Sequence, residues 1–539
     1  MLTVGIYGPK DRILADGTPS FMSHDHNITF MRDGIVIDAI ELERYTGKKH
    51  DNRLDKYIED IIDIVWDKKE AIRFILANSF VSKGFSSANG NLCIYEPDDI
   101  QLKDIMIKTD GIFIYNNENI DADFYVITHE FAHIATTLPF FENFKENSFL
   151  FHLDGGAYKS NHSLWLYKNN KIELLDYGWT SLKKPLNIFN DSKISAWILE
   201  MDLSEHLAIP GKLMGFASWG KVEPKLYNWL EENNWFIDFE GEKNEFLTLL
   251  QNFTNSIEVK LSLKDKTCQN IAACFQRYFS SSIIEYIKKM KEKYNTKNLY
   301  YSGGATLNII TNTIIENELN FEQIMIPPAP SDCGLSLGAS AYIEWKEKKH
   351  IHPHSPFLNS IGITKNDGDI DINNIVKKIA SGDPYYLAYG LAEFGPRALG
   401  HRSIIARPDS IQLRVKVSEE IKKREWYRPV APIILEDIAK EALIDYKQNS
   451  NLSKYMLGCW KVKKEWQNKF SGVIHADDTV RAQVISKNSF YYNELYNLLS
   501  QLWNKHKIAG IINTSLNIKN FPIIHNIDID EIYELIKLH

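Results

Sequence analysis

The chain has 539 residues, 44% of them hydrophobic, and a formal net charge of −8. That length exceeds one ordinary core and predicts two to four domains, while the mildly acidic balance excludes the basic footprint of a nucleic-acid binder. No stretch of about 18 uninterrupted apolar residues occurs, so no membrane span is expected, and the five scattered cysteines, without a C-x-x-C, predict neither a zinc ribbon nor a disulfide framework and fit a reducing cytoplasm.

The start reads as strands. VGIYG (Val4–Gly8) is apolar and stops on glycine, with no signal-peptide pattern around it. Residues 27–45 read as two extended runs joined at Arg32-Asp33-Gly34, a hairpin signal. Helical spacing follows over Asp55–Trp66. A similar unit returns at NSFLFHLDGGAYKSNHSLWLYKNNKIELLDYG: an apolar strand ending on Asp154-Gly155-Gly156, then two strands joined at Lys168-Asn169-Asn170. Two such units facing each other build the actin/sugar-kinase architecture, whose cleft holds a nucleotide or phosphate. Two unrelated meanders fit the pattern as well at this point. Lys260–Tyr294 is helical in spacing, NLYYSGGATLNIIT is a strand broken at Gly303-Gly304, and IMIPPAPSDCGLSLGAS leads into a glycine-rich helix start. A polar stretch at 346–368 reads as a linker between a first part, 1–345, and a domain-sized remainder, 369–539.

The segment ITHEFAHIATT contains H-E-x-x-H, in which His129 and His133 share one helical face. A zinc peptidase would also use Glu130 as base and needs a third ligand, but neither the downstream glycine nor the downstream histidine of that pattern is present. Asp154, at a strand end, and Asp332, before the glycine-rich helix start, are the alternative ligands. Two histidines and two aspartates suit iron or zinc with positions left for substrate oxygens. A helix with two histidines and no metal is the plain alternative.

These strings resemble, in order, the carbamoyltransferase family that includes the tobramycin and nodulation-factor O-carbamoyltransferases. SHDHNITFMRDG, THEFAHIATT, LDGGA, GKLMGFASWGK, YSGGATLNI and PPAPSDCGLSLGAS resemble its N-terminal part. LAEFGPRALGHRSIIARP, IKKREWYRPVAPIILED, VIHADDTVRAQ and NTSLN resemble its C-terminal part. Thr128, Asp478 and Leu516 depart from the usual pattern without removing a charged residue.

The resemblance implies an α/β protein with a duplicated actin-like N-terminal domain and a YrdC-like C-terminal domain. The latter would join carbamoyl phosphate to ATP as carbamoyl adenylate, releasing pyrophosphate. The former would transfer the carbamoyl group to an acceptor hydroxyl beside a divalent metal, usually Fe(II). By resemblance His129, His133, Asp154 and Asp332 are the metal ligands, and Glu130 is not a base. Arg397, Lys422, Arg428 and Arg481 bind carbamoyl phosphate and the ATP phosphates, with Arg402 and Arg424 ranked behind them. Asn513 and Ser515 are expected at the carbamoyl group, Lys422 and Arg428 in catalysis, and His24 near the reacting centre. Gly303, Gly304 and Asn308 are expected to cradle the nucleotide. Surface cations, helix caps and a structural histidine are the bland readings of the same residues. The expected partner is a sugar or secondary-metabolite acceptor, with neither nucleic acid nor membrane, and with room for a homodimer. A metallopeptidase and a non-catalytic nucleotide-binding scaffold are the competing functions.

Overall fold

The strand Leu2–Tyr7 is buried along its whole length, as a continuous apolar run in the middle of a sheet must be. It pairs antiparallel with Asn27–Arg32 and parallel with Ile72–Ala77. Asn27–Arg32 pairs in turn with Ile35–Glu41, and Ala122–Ile127 lies parallel to Ile72–Ala77. Met106–Thr109 closes the edge antiparallel to Ala122–Ile127. The computed structural model describes residues 1–9, 23–348, 350–360, 370–517 and 521–525.

The second sheet repeats this plan. Ser148–Leu153 is its buried central strand, antiparallel to His162–Lys168 and parallel to Asn298–Ser302. Lys171–Gly178 pairs outside His162–Lys168, and Gln323–Met325 outside Asn298–Ser302. Apart from the extra edge strand Met106–Thr109 of the first, both sheets thus share one plan: a central strand with two antiparallel strands stacked on one side in the order third, second, first, and two further strands parallel to it on the other. This is the duplicated actin/sugar-kinase arrangement, and it decides against two unrelated meanders. Even the hairpin turns correspond: Asp33-Gly34 and Asn169-Asn170 each place two successive residues at positive φ, the conformation that matches strand twist.

The halves meet through helices. His129–Ala135 packs against Leu335–Lys348, where a Cβ on Gly338 would lie 1.8 Å from the Ala132 carbonyl oxygen. Backbone therefore touches backbone, which only glycine permits. Leu335–Lys348 covers the first sheet, and its Glu344 receives Arg73 at 3.0 Å and the Thr3 hydroxyl at 2.6 Å in the buried layer. The long helix Lys266–Tyr294 covers the second sheet, with Tyr286 stacked on Phe151. It starts later than its spacing predicts because the Asp265 side chain caps it on the Thr267 N–H.

A third sheet has the order Tyr385–Ala388, Arg402–Ala406, Ile511–Ser515, Ala431–Leu435, Gln483–Ile485, with only the last pair parallel. The stretch read as a linker contains the end of Leu335–Lys348 and the strand Phe357–Asn359, which pairs with Ala392–Glu393. Its residues 361–368 lie outside the described ones. The C-terminal part is seated on both N-terminal halves. Arg44 donates to the Gly395 carbonyl at 2.6 Å, Asn312 donates to the Leu457 carbonyl at 2.9 Å, and Lys212 pairs with Glu425 at 2.9 Å.

Candidate functional site

Two clusters of functional groups stand out. The first lies between the two repeats. One turn of helix separates His129 from His133, so their rings share a face, with Nε2 atoms 3.1 Å apart. The His129 Nδ1 lies 3.0 Å from the Asn78 carbonyl, and the His133 Nδ1 lies 3.0 Å from the Pro330 carbonyl. A carbonyl only accepts, so each Nδ1 carries the proton and each Nε2 lone pair points at the other. Two such lone pairs at this distance repel unless a cation or a proton lies between them. Asp332 Oδ1 approaches His133 and His129 at 3.3 and 3.6 Å, and Asp154 Oδ2 approaches His133 at 3.8 Å. His129, His133 and Asp332 converge closely enough to hold one ion. With Asp154 beside them, the donor set fits a borderline divalent metal, and the Nδ1 bonds are the usual second layer that orients histidine ligands.

The surroundings hold this arrangement. Tyr7 donates to Asp332 Oδ2 at 2.6 Å, and the Asn27 amide donates to the Asp332 carbonyl at 2.8 Å. Asn78 also fixes the helix start, accepting the His129 N–H at 2.8 Å. The Gly304 N–H donates to Asp154, and Gly303, at φ 109°, has no room for a Cβ beside the Leu153 carbonyl. His152 stacks on His133 with centroids 5.1 Å apart. Tyr7, Asn78 and His152 carry no motif of their own, and Asn27 sits unremarked inside a quoted string; their neighbours in space mark them. Burial raises an obstacle to charge on Asp332, but His129, His133 and His24 hold its carboxyl well below the usual range.

Glu130 faces elsewhere. Its Oε1 accepts the N–H groups of Tyr158, Lys159 and Ser160 at 3.2, 2.6 and 3.0 Å. That carboxylate ties down the 158–160 loop and is not directed at the histidines, which removes the peptidase's base. His24 bonds Asp25 at 3.1 Å, and Asp25 bonds His50 at 2.7 Å. Burial opposes its charge, yet Asp25, Asp332 and Asp154 together raise the His24 pKa to about 9. The Asn308 side chain caps the helix Ile309–Glu318 at Thr311 and exchanges bonds with Gln276 at 2.9 and 3.1 Å. Its side chain is thus spent on the helix start and on Gln276.

The second cluster lies at the third sheet. Lys422 donates to the Ser515 carbonyl at 2.5 Å, the Ser515 hydroxyl at 3.0 Å and the Asn517 carbonyl at 2.8 Å. Arg424 reaches the Ser515 hydroxyl at 3.5 Å, and Arg397, Arg424 and Arg481 lie close enough to one another and to Arg428 for their charges to be felt. Burial and Arg428 push Arg397 down to about 10, and burial with Arg428 and Arg397 pushes Arg424 down to about 9. Arg481 is lowered by burial and by all three other arginines. Lys422 is lowered by burial, Arg424, Arg428 and Lys49, so a lysine of the N-terminal part faces the same cleft. The Nε atoms of Arg397 and Arg481 are buried without a hydrogen-bond partner among the described residues. Glu425, 3.6 Å from Arg428, is the carboxylate paired with this group. Among the described residues, four guanidiniums and an ammonium gather here with Glu425 beside Arg428 and Asp477 near Arg481, a cation excess whose chemistry suits an anion rich in oxygens. Arg424 belongs to this group, although its sequence position alone ranked it second. Arg402 does not: it donates to the carbonyls of Tyr389, His401, Gly390 and His525. Asn513 spends its Nδ2 on the Ala398 carbonyl at 2.8 Å, and its buried Oδ1 has no partner among the described residues. His475 is kept neutral, pushed down to about 4 by burial and Arg481.

No helix of the described residues is long and apolar enough to cross a membrane. Among relatives, the chain is 28% identical to an uncharacterized protein of Methanocaldococcus jannaschii, over 75% of this chain and 70% of that one. It is 25% identical to nodulation protein NolNO of Sinorhizobium fredii, over 98% and 79%. It is 27% identical to nodulation protein U of Rhizobium tropici, over 58% and 56%. Among solved structures, full-length HypF in a phosphate- and nucleotide-bound form aligns over 61% of this chain and 55% of its own, at 13% identity and a TM-score of 0.31. The model of the carbamoyltransferase N-terminus matches residues 103–341 and that of the carbamoyltransferase C-terminus matches residues 376–536. With both parts matched in order over most of its length, the chain belongs to the carbamoyltransferase family.

Proposed function

We propose that this carbamoyltransferase makes carbamoyl adenylate from carbamoyl phosphate and ATP at the arginine cluster, then transfers the carbamoyl group to a small-molecule hydroxyl between the two N-terminal repeats. The observation that carries the reading is the cation excess around Lys422 and Ser515, where the Nε atoms of Arg397 and Arg481 are buried without a partner among the described residues. Cations held this closely in a cleft favour phosphate-rich ligands and little else. The balance requires one water. Carbamoyl phosphate gives carbamate and phosphate, a carbamate oxygen bonds the α-phosphorus of ATP, and pyrophosphate leaves. Arg397, Arg424, Arg428 and Arg481 neutralise the phosphate oxygens, and Asn513 Oδ1 accepts from the carbamoyl NH2.

In the second step the acceptor oxygen bonds the carbamoyl carbon, AMP leaves and the hydroxyl proton is lost. His129, His133, Asp154 and Asp332 would hold a divalent metal, Fe(II) by family resemblance, which supplies Lewis-acid neutralisation of charge on the leaving phosphate. His24, charged through Asp25, donates to the same phosphate. Gly303 and Gly304 admit the nucleotide near Asp154. The nodulation proteins among the relatives support a small-molecule acceptor, a sugar or secondary metabolite. The test is carbamoyl-phosphate-dependent release of pyrophosphate from ATP by the purified chain, with AMP following only when acceptor is added. Absence of that release overturns the reading.

A further inference from the structure

Phe80 and Trp179 are large aromatic side chains left open to solvent, 49% and 41% exposed. They come from opposite repeats. Phe80 follows the strand Ile72–Ala77 of the first sheet, and Trp179 follows Lys171–Gly178 of the second. Their rings meet edge to face, with centroids 6.4 Å apart at 88°. A Cβ on Gly156 would touch both, at 3.4 Å from Phe80 and 3.9 Å from Trp179. The corner therefore stands two residues along the chain from Asp154.

The backbone that carries these rings also shapes the histidine–aspartate cluster. Asn78, two residues before Phe80, accepts both the N–H and the Nδ1–H of His129. The Phe80 N–H donates to the Ala157 carbonyl at 3.3 Å, across the cleft. The Trp179 carbonyl accepts from Asn161 Nδ2 at 3.1 Å, and the Asn161 carbonyl accepts the Asp154 N–H at 2.9 Å. Beside them the Asn190 amide nitrogen comes within 2.3 Å of where a Cβ on Gly155 would be, so glycine there leaves room for an amide next to the carboxylate.

Two aromatic rings at a right angle beside Gly156, whose N–H bonds the Asp154 carboxylate at 3.3 Å, with the Asn190 amide beside Gly155, match the chemistry of a pyranose ring. Its axial C–H face packs on an aromatic ring, and its equatorial hydroxyls bond amides and carboxylates. A hydrocarbon chain would call for a closed apolar groove instead. Resting on the transferase reading above, we propose that Phe80 and Trp179 form the acceptor-ring subsite, which takes one pyranose ring of a glycoside and turns a hydroxyl toward Asp154.

Binding at this subsite needs no ATP. Saturation-transfer NMR on the purified full chain, with the methyl β-glycosides of glucose, galactose, mannose and N-acetylglucosamine and their β-1,4-linked dimers as probes, tests it directly, with glycerol as control. The expected result is saturation of axial ring protons in at least one glycoside and none in glycerol. Phe80→Ala and Trp179→Ala should each weaken that binding about tenfold, from loss of roughly 1–1.5 kcal/mol of ring contact, and Trp179→Phe should restore most of it. Both side chains are exposed, so the melting temperature of the variants should match that of the unsubstituted chain. No binding by any probe, or alanine variants that bind like the parent, would overturn the proposal. Pyrophosphate release by the unsubstituted chain is measured in parallel: its absence sinks the transferase reading, whatever the glycoside binding shows.

Discussion

His129 and His133 present their Nε2 lone pairs to each other because backbone carbonyls claim both Nδ1 protons. Removing either ring removes half of that pair, so His129→Ala or His133→Ala should abolish stoichiometric iron or zinc binding, read by elemental analysis after reconstitution. Carbamoyl-phosphate-dependent pyrophosphate release should persist within a few-fold, since the arginine cluster is built on another sheet. Equal loss of both would mean that the two steps share one site. Glu130→Gln separates a base from a tether. A peptidase-type base would cost several orders of magnitude, whereas a carboxylate bonded to three backbone N–H groups costs about 1–3 kcal/mol of stability when its charge goes. The expected outcome is a lower melting temperature, retained metal, and carbamoyl transfer reduced no more than a few-fold. Collapse of transfer in a folded, metal-loaded variant would reverse this assignment.

At the scale of elements, the segment Glu393–Arg402 is held by its own Glu393 and by two other segments. Glu393 Oε1 accepts the N–H groups of Leu399, His401 and Arg402 at 2.8, 2.9 and 3.1 Å. Asn513 holds the Ala398 carbonyl. From the N-terminal part, Arg44 donates to the Gly395 carbonyl while Glu41, 2.7 Å from Arg44, accepts the Gly395 N–H at 3.1 Å. Arg397 therefore sits on a turn clamped from both parts of the chain. Lysine at position 44 keeps the charge and loses the planar fork, so Arg44→Lys should lower pyrophosphate release about tenfold or more, chiefly through the KM for carbamoyl phosphate. Unchanged KM would show that the clamp does not set Arg397. The arginine group itself has a stability signature. Its members repel one another when no anion is bound, so Arg481→Met should raise the melting temperature by a few degrees, about 1–2 kcal/mol, while abolishing pyrophosphate release. Pyrophosphate should stabilise the parent and leave the variant unmoved; a variant that melts lower than the parent would contradict the repulsion argument.

Across the whole molecule, the two clusters lie on different sheets but share a wall. The Pro330 carbonyl faces His133 Nδ1, and a Cβ on Gly395 would strike the Pro328 carbonyl at 2.5 Å. Three residues of one segment thus separate the histidine cluster from the turn that carries Arg397. If adenylate crosses this wall, supplying carbamoyl adenylate directly should restore acceptor carbamoylation to Arg428→Ala, whose pyrophosphate release should fall roughly 30-fold or more through loss of a bidentate phosphate contact. Failure of that bypass with fold and metal intact would place Arg428 in the transfer step.

The sequence by itself determined the hairpin turns and the types of chemistry, and left the repeat open against two unrelated meanders. Asp33-Gly34 and Asn169-Asn170 dictate hairpin turns locally, the apolar runs before them dictate buried central strands, and helical spacing puts His129 and His133 on one face. Those are short-range properties, so neighbours along the chain suffice to read them. What only the tertiary structure decided depends on residues far apart. Asp332 reaches His129 across some two hundred positions, Asn78 fixes the ring of His129 from just past the strand Ile72–Ala77, and Glu130 turns out to bond a loop that no local pattern links to it. Arg402 and Arg424 are equally cationic in sequence, yet backbone carbonyls take up one and the other joins Arg397 and Arg428. The partners that a side chain meets set its role, and the packing of three sheets, not the order of residues, brings those partners together.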